Sequence, residues 1–296
     1  MTTNPPPPPA RITETVDTGV ILSAIPWGLD GALTPILLVH GLASNARMWD
    51  GVAADLAERG HPVVAVDQRG HGLSSKPDTG YDFETLSRDL ARLIAQLGWE
   101  TGPPLVAGQS WGGNVVLDLS VRHPESVSGL VLVDGGAIDF SGRFADRATA
   151  EAALAPPRLE GTPAAAMDEW FRKNHPDWPE SGIQGSLANM EVLGDGTLRP
   201  WLSRDHHMQI IGHMWEQHPQ DLYPGVGVPV LLLMAEDRSN SRWMAGKRDE
   251  AAAAVRALPM ATLQWIEGDH DLHAQHPALV ARLIHEAAVD APEAVS

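Results

Sequence analysis

The stretch Leu105-Val106-Ala107-Gly108-Gln109-Ser110-Trp111-Gly112-Gly113-Asn114 constrains this chain more than any other. Its opening residues are a short apolar run, the pattern of a buried strand. Val115, Val116 and Leu119 then share one helical face until Arg122-His123-Pro124 ends it. Between the two, Gly108-Gln109-Ser110-Trp111-Gly112 fits G-x-S-x-G. Strand, sharp turn and helix is the setting in which that motif presents a serine as a nucleophile. The glycines allow strand and helix backbones to approach closely, and the helix N-terminus beneath the hydroxyl favours developing negative charge. The competing reading is a serine in a glycine-rich turn; it leaves the flanking strand and helix unexplained.

Elsewhere, apolar runs and helical patterns alternate. Val16 to Ile25 predicts one or two opening strands. Pro35 to Gly41, Pro62 to Asp67, Gly129 to Asp134, Pro229 to Met234 and Thr262 to Ile266 predict further strands. Met48 to Arg59, Phe83 to Leu97, Ala245 to Ala257 and the segment around Leu279 to Ile284 predict helices between and after them. This is an α/β pattern: a mostly parallel central sheet with helices on both faces. From about Ala137 to Val228 the alternation stops, with helical pieces at Ala164 to Lys173 and His206 to Gln217. The expected organisation is a disordered proline-rich tail over 1–10, a core formed by 11–136 and 229–296, and a helical insert over 137–228.

Three separated motifs resemble the α/β-hydrolase fold, over a span from near Gly19 to near Ala288. They are the Ser110 turn, the loop Asp67-Gln68-Arg69-Gly70-His71-Gly72, similar to D-x-R-G-x-G, and Gly268-Asp269-His270. The last is similar to the family's G-x-H pattern, which has a proline seven residues on, here Pro277. The resemblance implies that the insert over 137–228 is a helical cap between strands six and seven, covering the pocket. It also implies a triad in the chain order serine, acid, histidine.

Ser110 needs a base, because a serine hydroxyl is a poor nucleophile at neutral pH. Among 13 histidines, His270 is the candidate, with His273 and His276 as nearby rivals. Asp237, after the seventh strand, is the preferred acid. The family usually places it three residues after a glycine, a column that falls here on Arg238, so the turn is shortened or shifted. Asp134, at the end of the sixth strand, is the alternative, and Glu236 a more distant one. The acid would fix the histidine tautomer and stabilise the imidazolium. The backbone N–H groups of Leu42 and Trp111 are the expected oxyanion donors. Asp67 and Arg69 are read as braces between neighbouring loops.

The function expected from these residues is a serine hydrolase acting on a carboxylic ester of a small, apolar substrate. A lactone hydrolase and a carbon–carbon bond hydrolase would use the same triad, and a hydrolase-fold ligand receptor would keep it too. A serine rather than an aspartate at the turn argues against the family's epoxide-hydrolase and dehalogenase branches. Net charge is −17 and the pI about 5.0, which opposes partnership with nucleic acid or an anionic membrane surface. The absence of cysteine excludes disulfides, thiolate metal sites and cysteine nucleophiles. His206, His207, His213 and His218 lack the compact spacing of a metal set. No phosphate-cradling or dinucleotide glycine loop is present, so no cofactor or metal is expected. The N-terminus lacks the pattern of a secretory signal, no apolar run is long enough to span a bilayer, and a cytoplasmic location follows as the expectation. The partner is a small-molecule substrate; monomer and dimer are equally compatible with the sequence.

Overall fold

The structure is a computed structural model that describes residues 10–17, 19–237 and 241–289. The proline run expected to form a tail, Pro5 to Pro9, lies outside the described residues. The strands are β1 (Ile12–Asp17), β2 (Val20–Trp27), β3 (Ile36–Val39), β4 (Val63–Val66), β5 (Leu105–Gln109), β6 (Gly129–Val133), β7 (Met190–Val192), β8 (Leu198–Pro200), β9 (Val230–Glu236) and β10 (Ala261–Glu267). The α-helices of the core are α1 (Asp50–Glu58), α2 (Phe83–Gln96) and α3 (Trp111–Arg122). Those between β6 and β9 are α4 (Arg147–Leu154), α5 (Ala164–Asn174), α6 (Glu180–Leu187), α7 (Arg204–Glu216) and α8 (Pro219–Leu222). After β9 come α9 (Ser241–Ala257), α10 (Leu272–Gln275) and α11 (Pro277–Val289).

Eight strands form one sheet in the order β1-β2-β4-β3-β5-β6-β9-β10. The β1–β2 and β2–β4 pairings are antiparallel, and from β4 to β10 every pairing is parallel. Each of β3, β4, β5 and β6 is buried along its whole length. That is why they read as unbroken apolar runs rather than alternating ones. Their side chains feed two cores. On one side Leu37, Val64, Val106 and Leu132 pack against Leu86, Leu90 and Leu93 of α2 and against α3. On the other, Leu38, Ala65, Ala107 and Val133 pack against Val52 and Leu56 of α1 and Val280 and Ile284 of α11.

Because the pairings are parallel and in register, β3, β5, β6 and β9 end at one edge: Val39 aligns with Gly108, Gln109 with Val133, and Val133 with Leu233. Loops leaving that edge are the natural place for a site in an open α/β sheet. Residues between β6 and β9 add no strand to the large sheet. They form helices and a small antiparallel pair, β7–β8, which the sequence reading did not anticipate. No helix among the described residues is long and apolar enough to cross a membrane.

Candidate active site

Ser110 sits between β5 and α3 with φ 52° and ψ −124°, a strained conformation for a residue with a Cβ. The neighbouring glycines make it possible. A Cβ on Gly112 would fall 2.3 Å from the His40 carbonyl oxygen, and one on Gly108 would fall 2.5 Å from the Gly112 carbonyl oxygen. Neither backbone can yield, so both positions require glycine. Trp111 is the first residue of α3, where an amide has no partner inside the helix. Leu42, in the loop after β3, lines the same cavity as Ser110 and Trp111. The two residues expected to supply oxyanion donors thus line one cavity with the serine.

His270 follows β10. Its Nδ1 lies 2.6 Å from Asp134 Oδ2. This corrects the sequence preference for the acid: Asp134, not Asp237, is the carboxylate at the ring of His270. Asp237 stands just past the end of β9, exposed at the rim of the cavity. The physical reason lies in the sheet. β6 and β9 are hydrogen-bonded neighbours, so the two aspartates leave adjacent strand ends and either could point toward the last loop. Asp134 takes a left-handed backbone at φ 47°, and the Ala235 amide donates to its Oδ1 at 2.9 Å. Oδ2 is thereby turned toward the histidine. The missing glycine ahead of Asp237 was the sequence signal for this shift.

Burial alone would push the Asp134 carboxyl up and the His270 imidazole down. The mutual hydrogen bond and charge outweigh both, holding Asp134 below the usual carboxylate range and His270 above 6.5. Ser110 Oγ makes no hydrogen bond among the described residues; it and His270 line one cavity. Such bonds commonly tighten only when substrate is bound. The rival histidines are elsewhere. His273 is fully buried against Trp49, with burial lowering it to about 3, and His276 faces the Glu267 carbonyl. The side-chain Nε2 of Gln109 donates to the His270 carbonyl and to Asp271 Oδ1, both at 3.2 Å, tying the histidine loop to the end of β5.

The cavity has a volume of about 450 Å³. Leu42, Trp111, Ile138, Phe140, Ile211 and Met214 give it apolar walls. Of the tryptophans and methionines between β6 and β9, Met214 lines it. Trp178 instead donates from Nε1 to Asp269 at 3.0 Å, and Trp170 faces solvent. The charged lining is unbalanced, with Arg143 and Lys247 facing Asp134, Asp237, Glu250 and Asp269. Arg143 is already engaged by Glu250, with Nε 2.9 Å from its Oε1. The insert's histidines are dispersed. His206 stacks on Tyr81, His213 pairs with Glu216 and His218 with Asp139, while His207 Nε2 meets the Leu154 carbonyl.

The D-x-R-G-x-G loop is structural. Asp67 accepts from the Ala46 and Leu73 amides at 2.7 and 2.9 Å and pairs with Arg11. Arg69 forms a buried fork on Asp89 of α2 at 2.7 and 2.9 Å. One residue at the site escaped the sequence reading entirely: Lys247 of α9, whose Nζ lies 2.5 Å from Asp134 Oδ1. The signal was available, since Met244, Lys247, Ala251 and Ala254 share the buried stripe of that helix.

Comparison with known proteins agrees with the fold. The profile described as alpha/beta hydrolase family matches residues 36–283. A 2-(acetamidomethylene)succinate hydrolase of Mesorhizobium japonicum is 30% identical over 76% of this chain and 78% of that protein. An esterase of Mycobacterium tuberculosis is 37% identical, but over 43% of this chain and 40% of its own length. Among solved structures, E-2-(acetamidomethylene)succinate hydrolase superposes with a TM-score of 0.72 at 24% identity, covering 95% of this chain and all (100%) of the other.

Proposed function

The chain belongs to the alpha/beta hydrolase family, and from that premise we propose a serine hydrolase that cleaves a carboxylic ester of a small, neutral, largely apolar substrate. The observation that carries the proposal is the Asp134–His270 pair, set over the cavity that Ser110 lines. His270 Nε2 takes the proton of Ser110 Oγ as that oxygen attacks the ester carbonyl. The Leu42 and Trp111 amides donate to the resulting oxyanion. The carbon–alkoxide bond breaks, and the alcohol leaves with the proton from His270. Water, deprotonated by the same ring, then cleaves the acyl-enzyme and regenerates Ser110.

Neutrality of the substrate is inferred from charge. Both cations described in the cavity wall face carboxylates, so among the described residues an anionic substrate would meet no uncompensated positive charge. This separates the proposal from a succinate-type substrate of the kind named for the Mesorhizobium relative.

The test is a panel of p-nitrophenyl esters and lactones, with 2-(acetamidomethylene)succinate alongside. Wild type and Ser110→Ala are compared, and folding is verified by circular dichroism. Neutral esters should turn over, and Ser110→Ala should lose roughly 10⁴- to 10⁶-fold in kcat. Turnover that survives in Ser110→Ala, or a folded wild type inert toward every ester, would overturn the proposal.

A further inference from the structure

Lys247 is about as buried as the apolar residues around it, at 9% exposure. A buried ammonium is costly and its position on the apolar stripe of α9 would ordinarily hold an aliphatic side chain. Two groups meet it. Asp134 Oδ1 lies 2.5 Å away, and the Ala235 carbonyl accepts from Nζ at 2.7 Å. The second contact fixes the ammonium to the end of β9, so it is not free to follow the carboxylate. Asp134 is consequently held from both sides: Lys247 and the Ala235 amide on Oδ1, His270 on Oδ2.

We propose that Lys247 is a positioning residue of this site, clamping Asp134 so that Oδ2 addresses His270 and using its charge to keep that imidazole available as a base. This rests on the serine-hydrolase reading above. The charge argument follows from what faces the ring. Asp134 favours the imidazolium, as does Asp271 beside it, and Asp269, Asp237 and Glu250 line the same cavity. Arg143 is neutralised by Glu250, and His175 lies 3.5 Å from Asp269. The buried His40 and His273 are neutral, held down to about 4 and about 3 by burial. Among the described residues, Lys247 is thus the cation that offsets Asp134 at the ring. Without it, Asp134 and an imidazolium would form a self-neutralised pair, and a protonated His270 cannot accept the Ser110 proton.

The experiment compares wild type with Lys247→Met, Lys247→Gln and Lys247→Arg in the full chain. It measures kcat/KM against pH and the NMR titration of the His270 ring, assigned by its loss in His270→Gln. Removing the charge should raise the acid limb and the His270 titration together by about one pH unit, a Coulomb effect of the size expected across a carboxylate. Lys247→Arg should keep both near their wild-type positions even where kcat falls. Lys247→Gln keeps a donor for Asp134 without the charge, so it carries the same expectation should the methionine variant fail to fold. A His270 titration unmoved in a folded Met or Gln variant would overturn the proposal, since packing alone would then be the lysine's role. The NMR arm needs no substrate, so it decides the matter even if the ester panel refutes the hydrolase reading.

Discussion

Asp134→Asn, set against Asp237→Asn, tests the acid assignment most directly. In wild type, Asp134 Oδ2 accepts from His270 Nδ1 at 2.6 Å, which leaves Nε2 with the lone pair that takes the serine proton. An asparagine can keep its carbonyl on the Ala235 amide and Lys247, and would then present its NH₂ to the ring. Nδ1 must become the acceptor, and the tautomer inverts. Loss of the acid by such a change costs about 10⁴ in kcat in a comparable triad, close to 5.5 kcal/mol of transition-state stabilisation. The same substitution strips the buried Lys247 of its counter-charge. That loss is worth about 3 kcal/mol, the lower end for a broken buried pair because the amide oxygen still accepts. For a chain of this size it lowers Tm by about 5 °C. Asp237, exposed on the rim, should tolerate the change within about threefold in kcat and with a smaller loss of Tm than Asp134→Asn. The assay is ester turnover at a pH above the His270 titration, with a thermal melt on each variant. A thousandfold loss in folded Asp237→Asn, with Asp134→Asn active, would refute the reasoning.

The pH profile should show an acid limb above 6.5, because Asp134 raises His270 and only the neutral ring can accept a proton. The linkage runs the other way: a raised histidine contributes stability that is complete below 6.5 and lost as pH rises through its folded value, so activity should grow as this contribution fades. Urea unfolding across that window, compared with His270→Gln, measures it. Arg69→Met leaves Asp89 buried without its fork and should cost about 3–5 kcal/mol in urea unfolding, while Arg69→Met with Asp89→Leu recovers most of it; kcat per folded molecule should be unchanged. His207 lines both the main cavity and a neighbouring one of about 260 Å³. His207→Ala should join them and move the preferred acyl chain to greater length, and an unchanged preference across the ester panel would count against it.

Much of this protein was legible in the sequence because the relevant constraints are local. Buried parallel strands must be apolar throughout, so β3 to β6 announced themselves as runs, and the order of strands and helices followed. The Ser110 turn was equally local: the two glycines answer to backbone atoms a few residues or one strand away, and no side chain fits. His270 was found because its loop carries its own pattern up to Pro277. What the sequence left open depended on which strand ends are neighbours and how side chains lean across them. Asp134 and Asp237 are far apart in the chain but leave adjoining strands, and contacts made only in the folded protein, from the Ala235 amide and Lys247 to Oδ1, turn the Asp134 carboxylate to the histidine. Lys247 lies beyond both, and its place on the apolar stripe of α9 marks it as unusual without saying what it meets. Its meaning appears only when α9 packs against β9 and delivers the ammonium to Asp134, a contact between distant segments that no local pattern encodes.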